Sequence, residues 1–174
     1  MQAQPDTARK SPLIKVAVAG LVLALAAGAW LSLARKDVAP EVTFTSLDGK
    51  QFTSASLHGK VVMVNFWATS CETCVKEMPA MVQTYNKYKG QGLEYVAVAM
   101  SYDPPNYVVN YAQTRSLPFK VALDTKGELA RAFGEVKLTP TTYVIDKQGH
   151  ILKRYVGEPN FNELHALLEK AIAA

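Results

Sequence analysis

The apolar residues of this chain form one long uncharged run near the start, followed by short runs of two kinds. Residues 16–34 make up the long run and include no charged side chain. At a helical rise of 1.5 Å per residue, it would extend over roughly 28 Å, close to the thickness of the hydrocarbon core of a bilayer. We therefore expect a transmembrane anchor over 16–34, after a short cytoplasmic tail over 1–15 and before a tether over 35–40.

The charges beside this run predict its orientation. Arg9, Lys10 and Lys15 precede it, and basic side chains next to a membrane helix are retained in the cytoplasm. Residues 41–174 would then lie outside the cytoplasm. We expect a single-pass membrane protein whose domain faces the space outside the cytoplasm.

A cleaved signal peptide is the alternative interpretation of the same run. Small residues at 27–29 and 32–34 have the spacing of a cleavage site. The apolar run is longer than the usual core of a signal peptide, which favours the uncleaved anchor.

After residue 40, β-type runs and helical stripes alternate. Unbroken runs rich in β-branched residues predict buried strands, and apolar residues three and four apart predict amphipathic helices. The order indicates an α/β fold, in which a central mixed β-sheet is flanked by helices and 60–66 and 93–100 are parallel neighbours. The predicted strands are 42–45, 51–53, 60–66, 93–100, 119–123, 141–145 and 151–155. Two helices are predicted over 74–88 and 128–133. A third is capped by Asp103 and runs to about residue 115, and a fourth is capped by Asn160.

The net charge of +4 does not indicate a nucleic-acid partner. Residues 1–36 contain five basic side chains and one acidic side chain. The rest of the chain has 14 of each, so the positive excess lies at the expected membrane end. No basic surface for binding nucleic acid follows from this balance.

The chemistry of the domain is indicated by its two cysteines. Cys71 and Cys74 follow a predicted buried strand directly and open a predicted helix. Two intervening residues let the sulfurs meet within one helical turn, and the positive end of a helix favours a thiolate. This context predicts thiol–disulfide exchange, with Cys71 as the attacking sulfur and the deeper Cys74 as the resolving thiol.

Two other uses of a cysteine pair fit less well. A structural disulfide across so short a loop would remove little entropy from the unfolded chain. A zinc site would need two more ligands from His58, His150 and His165, whose spacing is not that of ligands. We expect no metal, and no cofactor other than the redox-active Cys71–Cys74 pair.

The sequence around the cysteines resembles the TlpA/ResA-like thioredoxin family. The resemblance rests on residues 66–74 (FWATSCETC), on Glu77-Met78-Pro79 and on residues 138–146 (LTPTTYVID), and it covers roughly 40–174. It implies a thioredoxin fold and an anchored or periplasmic reductase for cytochrome c maturation or copper-centre assembly. With the predicted anchor, this places the protein in the bacterial inner membrane, with its catalytic domain in the periplasm. The implied partners are cysteine-containing envelope proteins as substrates and a membrane thiol donor of the DsbD/CcdA type.

The resemblance also implies a proton acceptor. Glu77 lies three residues after Cys74 and therefore on the same helical face. A buried carboxylate there could accept the Cys74 proton during resolution. Thioredoxin itself has a buried Asp where this chain has Asn65, and an amide cannot accept a proton in that way. We therefore expect Glu77 to be catalytic.

The remaining candidate residues would contact or support the substrate. Pro140 is implied to be cis and to face the cysteine pair, where the backbone of Thr139 would pair with an extended substrate segment. Ser70 occupies the position before the first cysteine, where the family commonly has Trp. Trp67 is expected chiefly to pack beneath the loop, with a substrate contact as the second possibility.

Rival functions on the same fold are a copper chaperone and a peroxiredoxin-like peroxidase. The chaperones use cysteines spaced by three residues with a distant histidine, and the peroxidases need a Thr and an Arg near one cysteine. Neither pattern surrounds Cys71. Glu72 and Glu77 place negative charge near the sulfurs, which opposes a thiolate and so favours a reductase over an oxidase.

Overall fold

The computed structural model describes residues 20–22, 25 and 37–174. Contacts divide the chain into one unit of residues 1–36 and another of residues 37–174. In the first unit, the four described residues are helical and exposed, whereas the predicted tail and most of the predicted anchor lie outside the described residues. Within the described ranges, no helix combines the length and the apolar character needed to cross a membrane.

The second unit alternates strands and helices in the predicted order. Residues 37–174, which are described without a gap, form seven strands and four α-helices, besides the short 3-10 turns Ala55–Leu57 and Lys89–Gln91. The strands are β1 (Thr43–Thr45), β2 (Gln51–Thr53), β3 (Val61–Trp67), β4 (Leu93–Ala99), β5 (Lys120–Leu123), β6 (Thr141–Ile145) and β7 (Ile151–Val156). The helices are α1 (Glu72–Tyr88), α2 (Pro105–Thr114), α3 (Glu128–Ala132) and α4 (Phe161–Ala173).

The main sheet has five strands in the order β5-β4-β3-β6-β7. β3, β4 and β5 run parallel, and β6 pairs antiparallel with both β3 and β7. All seven residues of β3 are buried, as expected for a central strand covered on both faces. The predicted thioredoxin fold, with a mixed sheet between helices, is therefore confirmed.

Two apolar layers cover the faces of this sheet. One contains residues of α1, α2 and α4, and the other contains residues of β1 and α3. Side chains alternate along a strand, so Met63 and Trp67 of β3 join the α1 layer whereas Val64 and Phe66 join the other. The same alternation directs Asn65, the one polar residue of β3, towards α1.

Residues 37–39, which belong to the predicted tether, pair with the turn that joins β6 and β7. Ala39 N–H donates to the Gly149 carbonyl at 2.8 Å, and Ile151 N–H donates to the Asp37 carbonyl at 2.7 Å. Asp37 onwards therefore belongs to the edge of the folded unit.

Candidate active site

The site lies where the chain passes from the end of β3 to the start of α1. The chain leaves the sheet at Trp67 and turns through residues 68–71, with Cys71 N–H donating to the Ala68 carbonyl at 3.1 Å. Cys71 keeps an extended backbone as the N-cap residue of α1. Its sulfur is bonded to that of Cys74, with the two Cα atoms 5.2 Å apart.

The start of α1 places a backbone donor against one of the two sulfurs. Cys74 N–H donates to Cys71 Sγ at 3.2 Å, in the position where a hydroxyl or carboxylate usually caps a helix. After reduction, this donor and the positive end of the helix would stabilise negative charge on the sulfur. Cys71 is half-buried and Cys74 fully buried, which is the order of depth that the predicted roles require.

Glu77 is a buried carboxyl group with few polar neighbours. The residue is 1% exposed. Its Oε1 accepts one long hydrogen bond, from Asn65 Nδ2 at 3.3 Å, and its Oε2 has no hydrogen-bond partner among the described residues. Burial raises the pKa of Glu77 to about 8, with the negative charge of Glu158 acting in the same direction and the Asn65 bond opposing it. In the disulfide form, Glu77 is therefore mostly protonated at neutral pH.

Asn65 connects Glu77 to the neighbouring strand. Its Nδ2 also donates to Thr142 Oγ1 of β6 at 2.9 Å. Tyr95 of the parallel strand β4 is buried nearby, and its pKa is held well above the usual range by burial and then by the charge of Glu77. The polar cluster beneath the cysteines thus spans β3, β4, β6 and α1.

Thr139 and Pro140 lie beside the same end of β3. The peptide bond between them is cis. Because Phe66 is paired with Thr141, Pro140 comes next to Trp67, where the chain turns towards the cysteines. Pro140 is buried and Thr139 is half-buried, so the edge formed by Thr139 remains accessible.

Ser70 and Trp67 occupy opposite environments. Ser70 is exposed directly before Cys71, where a partner can reach it. Trp67 is fully buried, and its ring packs against Tyr111 with 5.2 Å between centroids. The expected packing role of Trp67 fits this position, whereas the second possibility, a substrate contact, does not, because the buried ring leaves no surface for a docked partner.

Asp103 is a site residue that the sequence analysis misplaced. We expected it to cap α2, but the N-cap residue is Pro104 and makes no side-chain hydrogen bond. Asp103 is instead buried and accepts two bonds from Thr69, one from the backbone N–H and one from the hydroxyl, both at 2.6 Å. A usable signal existed, since loops that follow parallel neighbouring strands leave the sheet at the same edge.

Comparisons with known proteins agree with this architecture. The Redoxin family model matches residues 34–168. The thiol-disulfide oxidoreductase ResA of Bacillus thuringiensis subsp. konkukian is 38% identical over 132 residues, which cover 76% of this chain and 75% of that protein. ResA of Bacillus subtilis (strain 168) is 34% identical over 134 residues, covering 77% and 74% respectively.

A solved structure shows the same likeness in three dimensions. The thiol:disulfide interchange protein of Chlorobium tepidum TLS, a thioredoxin family protein, superposes with a TM-score of 0.73 at 34% identity. The superposition covers 80% of this chain and 98% of that one. With its thioredoxin fold and its Cys71–Cys74 pair at the start of α1, the chain belongs to the redoxin family, as a ResA-like thiol–disulfide oxidoreductase that acts on cysteine-containing proteins.

Proposed function

We propose that this protein is a membrane-anchored, periplasmic reductase of disulfides in envelope proteins, of the kind that serves cytochrome c maturation or copper-centre assembly. One observation carries the proposal. Cys71 caps α1 and receives a backbone hydrogen bond on its sulfur, while Cys74 is fully buried behind it and a buried Glu77 follows one turn later. This arrangement separates an attacking sulfur, a resolving sulfur and a proton acceptor.

The reaction consists of two exchanges. The Cys71 thiolate attacks one sulfur of the substrate disulfide, forming a mixed disulfide and releasing the other substrate sulfur as a thiolate. Cys74 then loses its proton and attacks Cys71 Sγ, which closes the Cys71–Cys74 bond and releases the second substrate sulfur. The substrate gains two electrons, its two released thiolates take protons from solvent, and the enzyme is left oxidised.

Glu77 supports the second exchange in both directions. With a pKa of about 8, a minority of Glu77 side chains is ionised at neutral pH, and in these the carboxylate accepts the Cys74 proton when the mixed disulfide is resolved. When a donor thiol later reduces the enzyme, Cys74 leaves as a thiolate, and the neutral Glu77 returns the proton. The raised pKa of Glu77, about 8, supports this second step, since the carboxyl group holds its proton in the disulfide form.

The partners and the location follow from the same chemistry. Regeneration outside the cytoplasm needs electrons, for which we propose a membrane thiol donor of the DsbD/CcdA type. The anchor is supported by the uncharged run 16–34 and by the exposure of its described helical residues. Leu21, Val22 and Leu25 are 62%, 58% and 65% exposed, and a bilayer would cover such apolar side chains.

Trapping the mixed disulfide tests the enzymatic part of the proposal. In a Cys74→Ser variant the resolving sulfur is missing, so the substrate should remain bound to Cys71 and survive non-reducing electrophoresis of envelope extracts. Cys71→Ser, which keeps one sulfur but loses the accessible one, is the matched control and should trap nothing. Equal trapping by both variants would contradict the assignment of the attacking sulfur.

The direction of the reaction needs its own measurement. Equilibration of the full-length protein with defined glutathione mixtures, followed by alkylation of free thiols, gives the potential of the Cys71–Cys74 pair. A reductase requires a potential below that of its surroundings. A more oxidising value would contradict the proposed reductase and indicate an oxidase.

A further inference from the structure

The turn that presents Cys71 is held from outside by one buried carboxylate. Residues 68–71 form this turn, which Cys71 N–H closes onto the Ala68 carbonyl. A turn of this kind leaves the N–H of its second residue, Thr69, without a partner inside the turn. Asp103 accepts from that N–H and from the Thr69 hydroxyl, both at 2.6 Å. Both donors of the residue are thus fixed by charge-assisted bonds.

Asp103 is itself rigidly placed. The residue is 5% exposed, and its own N–H donates to the Met100 carbonyl at 2.9 Å. Met100 in turn donates to the Trp67 carbonyl at 3.0 Å, so the chain after β4 is tied to the end of β3. The carboxylate of Asp103 therefore holds the turn from a segment that is itself fixed to the sheet.

The residue before Asp103 reaches the other loop at this end of the sheet. Tyr102 Oη lies 3.2 Å from Thr139 Oγ1, next to Pro140. Two consecutive residues, Tyr102 and Asp103, therefore contact both loops that flank the cysteine pair. Tyr102 is 56% exposed, so the stronger of the two links is the buried one through Asp103.

We propose that Asp103 is a positioning residue for thiol–disulfide exchange, which holds the turn 68–71 through Thr69 so that Cys71 meets a docked substrate disulfide in line. The inference rests on the proposed role of Cys71 as the attacking sulfur. Attack on a disulfide requires the three sulfurs to align, and small displacements of a reacting group lower a rate strongly. Asp103 touches no reacting atom and acts only through Thr69.

The chain offers a matched control for this proposal. Asp124 is 3% exposed and accepts two backbone bonds, from Leu129 N–H at 3.1 Å and Ala130 N–H at 2.9 Å. Both partners belong to α3, and neither lies in the turn 68–71. Asp124→Ala should therefore lower stability as Asp103→Ala does, without displacing Cys71.

The experiment compares two reactions of the reduced full-length protein. One is the second-order rate constant for reduction of insulin disulfides, which needs alignment, and the other is the rate of Cys71 alkylation by iodoacetamide, which does not. Asp103→Ala should lower the first about tenfold and leave the second within about twofold. In Asp103→Asn the amide oxygen can accept from the Thr69 N–H and the amide nitrogen can donate to the Thr69 hydroxyl, so both contacts are kept without the charge and the insulin rate should match that of the parent protein. Asp124→Ala should change neither reaction.

Two results would overturn the inference. The first is an insulin rate for Asp103→Ala equal to that of Asp124→Ala. The second is failure of Asp103→Asn to restore the rate, which would assign the effect to charge rather than to position. If Asp103→Ala does not fold, two variants of Thr69 replace it. Thr69→Val removes the hydroxyl bond alone and should lower the insulin rate by less than tenfold, whereas Thr69→Ser keeps the hydroxyl and should retain the insulin rate. Equal insulin rates for these two variants would also overturn the inference.

The same data separate this inference from the proposed function. Two results support the attacking role of Cys71, whatever the outcome for the Asp103 variants. They are preferential alkylation of Cys71 and loss of insulin reduction in Cys71→Ser. A Cys71→Ser variant that still reduced insulin would instead remove the proposed function.

Discussion

Two buried carboxyl groups flank the cysteine pair, and their surroundings differ sharply. Asp103 accepts two hydrogen bonds of 2.6 Å from one residue. Glu77 accepts a single bond of 3.3 Å, and burial raises its pKa to about 8. Two strong bonds let Asp103 hold a loop in place, whereas the raised pKa of Glu77 suits that group to exchanging a proton. The number of donors around each group thus separates positioning from proton transfer.

The difference originates in where the two residues sit on the fold. Asp103 comes directly after β4, where an irregular loop offers an unused N–H and a hydroxyl on Thr69. Glu77 lies in the first half of α1, whose backbone groups are already paired within the helix. Among the described residues, Asn65 of β3 alone donates a side-chain hydrogen bond to Glu77.

The largest effect is expected from replacing the titrating carboxyl group of Glu77 with an amide. The folded state holds a proton with a pKa of about 8 that the unfolded chain releases near 4.5, so the free energy of unfolding falls as pH rises between these values. Each pH unit in that window corresponds to about 1.4 kcal/mol, giving a fall of several kcal/mol by pH 8.5. In Glu77→Gln this fall should disappear, which urea unfolding of the oxidised protein at pH 5 and pH 8.5 would measure.

The control for this measurement is Glu72→Gln. Glu72 is an exposed residue on the same helix, so Glu72→Gln makes the same chemical change without touching a buried group. Comparing each variant with the parent protein isolates Glu77 from every other group that titrates in the same window. Parallel curves for Glu77→Gln and the parent would show that Glu77 is ionised in the folded state.

The fold was largely predictable because its strands are marked by local composition. The unbroken apolar runs around β3 and β4 predicted two buried parallel neighbours, and the structure has them in register over seven residues each. The cysteine spacing after β3 similarly predicted the start of α1. These features depend on residues close together in the chain, which a pattern can detect.

The contacts made by polar side chains across the fold were not predictable in this way. Thr69 and Asp103 are 34 residues apart, and Asn65 and Thr142 are 77 apart. Asp103 precedes two prolines, and this local sequence is typical of a helix cap, so the local signal concealed the long-range bond. Whether Glu77 would be buried also depended on the packing of α1 against β3, which its sequence spacing does not fix.

The second prediction concerns the rate at which the mixed disulfide is resolved. Glu77→Gln cannot accept the Cys74 proton, so resolution should slow about a hundredfold, in the usual range for loss of general acid–base catalysis. Rapid mixing of the reduced protein with a model protein disulfide, followed by acid quenching and mass spectrometry, would show the mixed disulfide accumulating. Glu72→Gln should behave as the parent protein, and an unchanged rate in Glu77→Gln at pH 7 would exclude Glu77 as the acceptor.

A smaller effect is expected from Asn65→Leu. The bond from Asn65 lowers the pKa of Glu77, so its loss should raise that pKa further, and two buried acceptors left without their donor should reduce stability by about 1–3 kcal/mol each. The pH dependence of unfolding measures both changes. Thr142→Val loses only the bond between Asn65 and Thr142 and should lower stability without moving the pKa of Glu77; an equal pKa change in both variants would contradict this explanation.

The smallest effect tests whether Glu77 responds to the protein surface at all. Glu158 lies on the surface, paired with Lys76 at 3.2 Å, and its negative charge contributes to the raised pKa of Glu77. Glu158→Gln should therefore lower that pKa, by less than Asn65→Leu raises it, and shift the pH profile of resolution in the same direction. Because the pair includes an exposed charge, 1 M salt, in which the Debye length falls to about 3 Å, should reduce this shift, whereas that of Asn65→Leu should persist. A shift for Glu158→Gln that does not change with salt would contradict an effect of its charge.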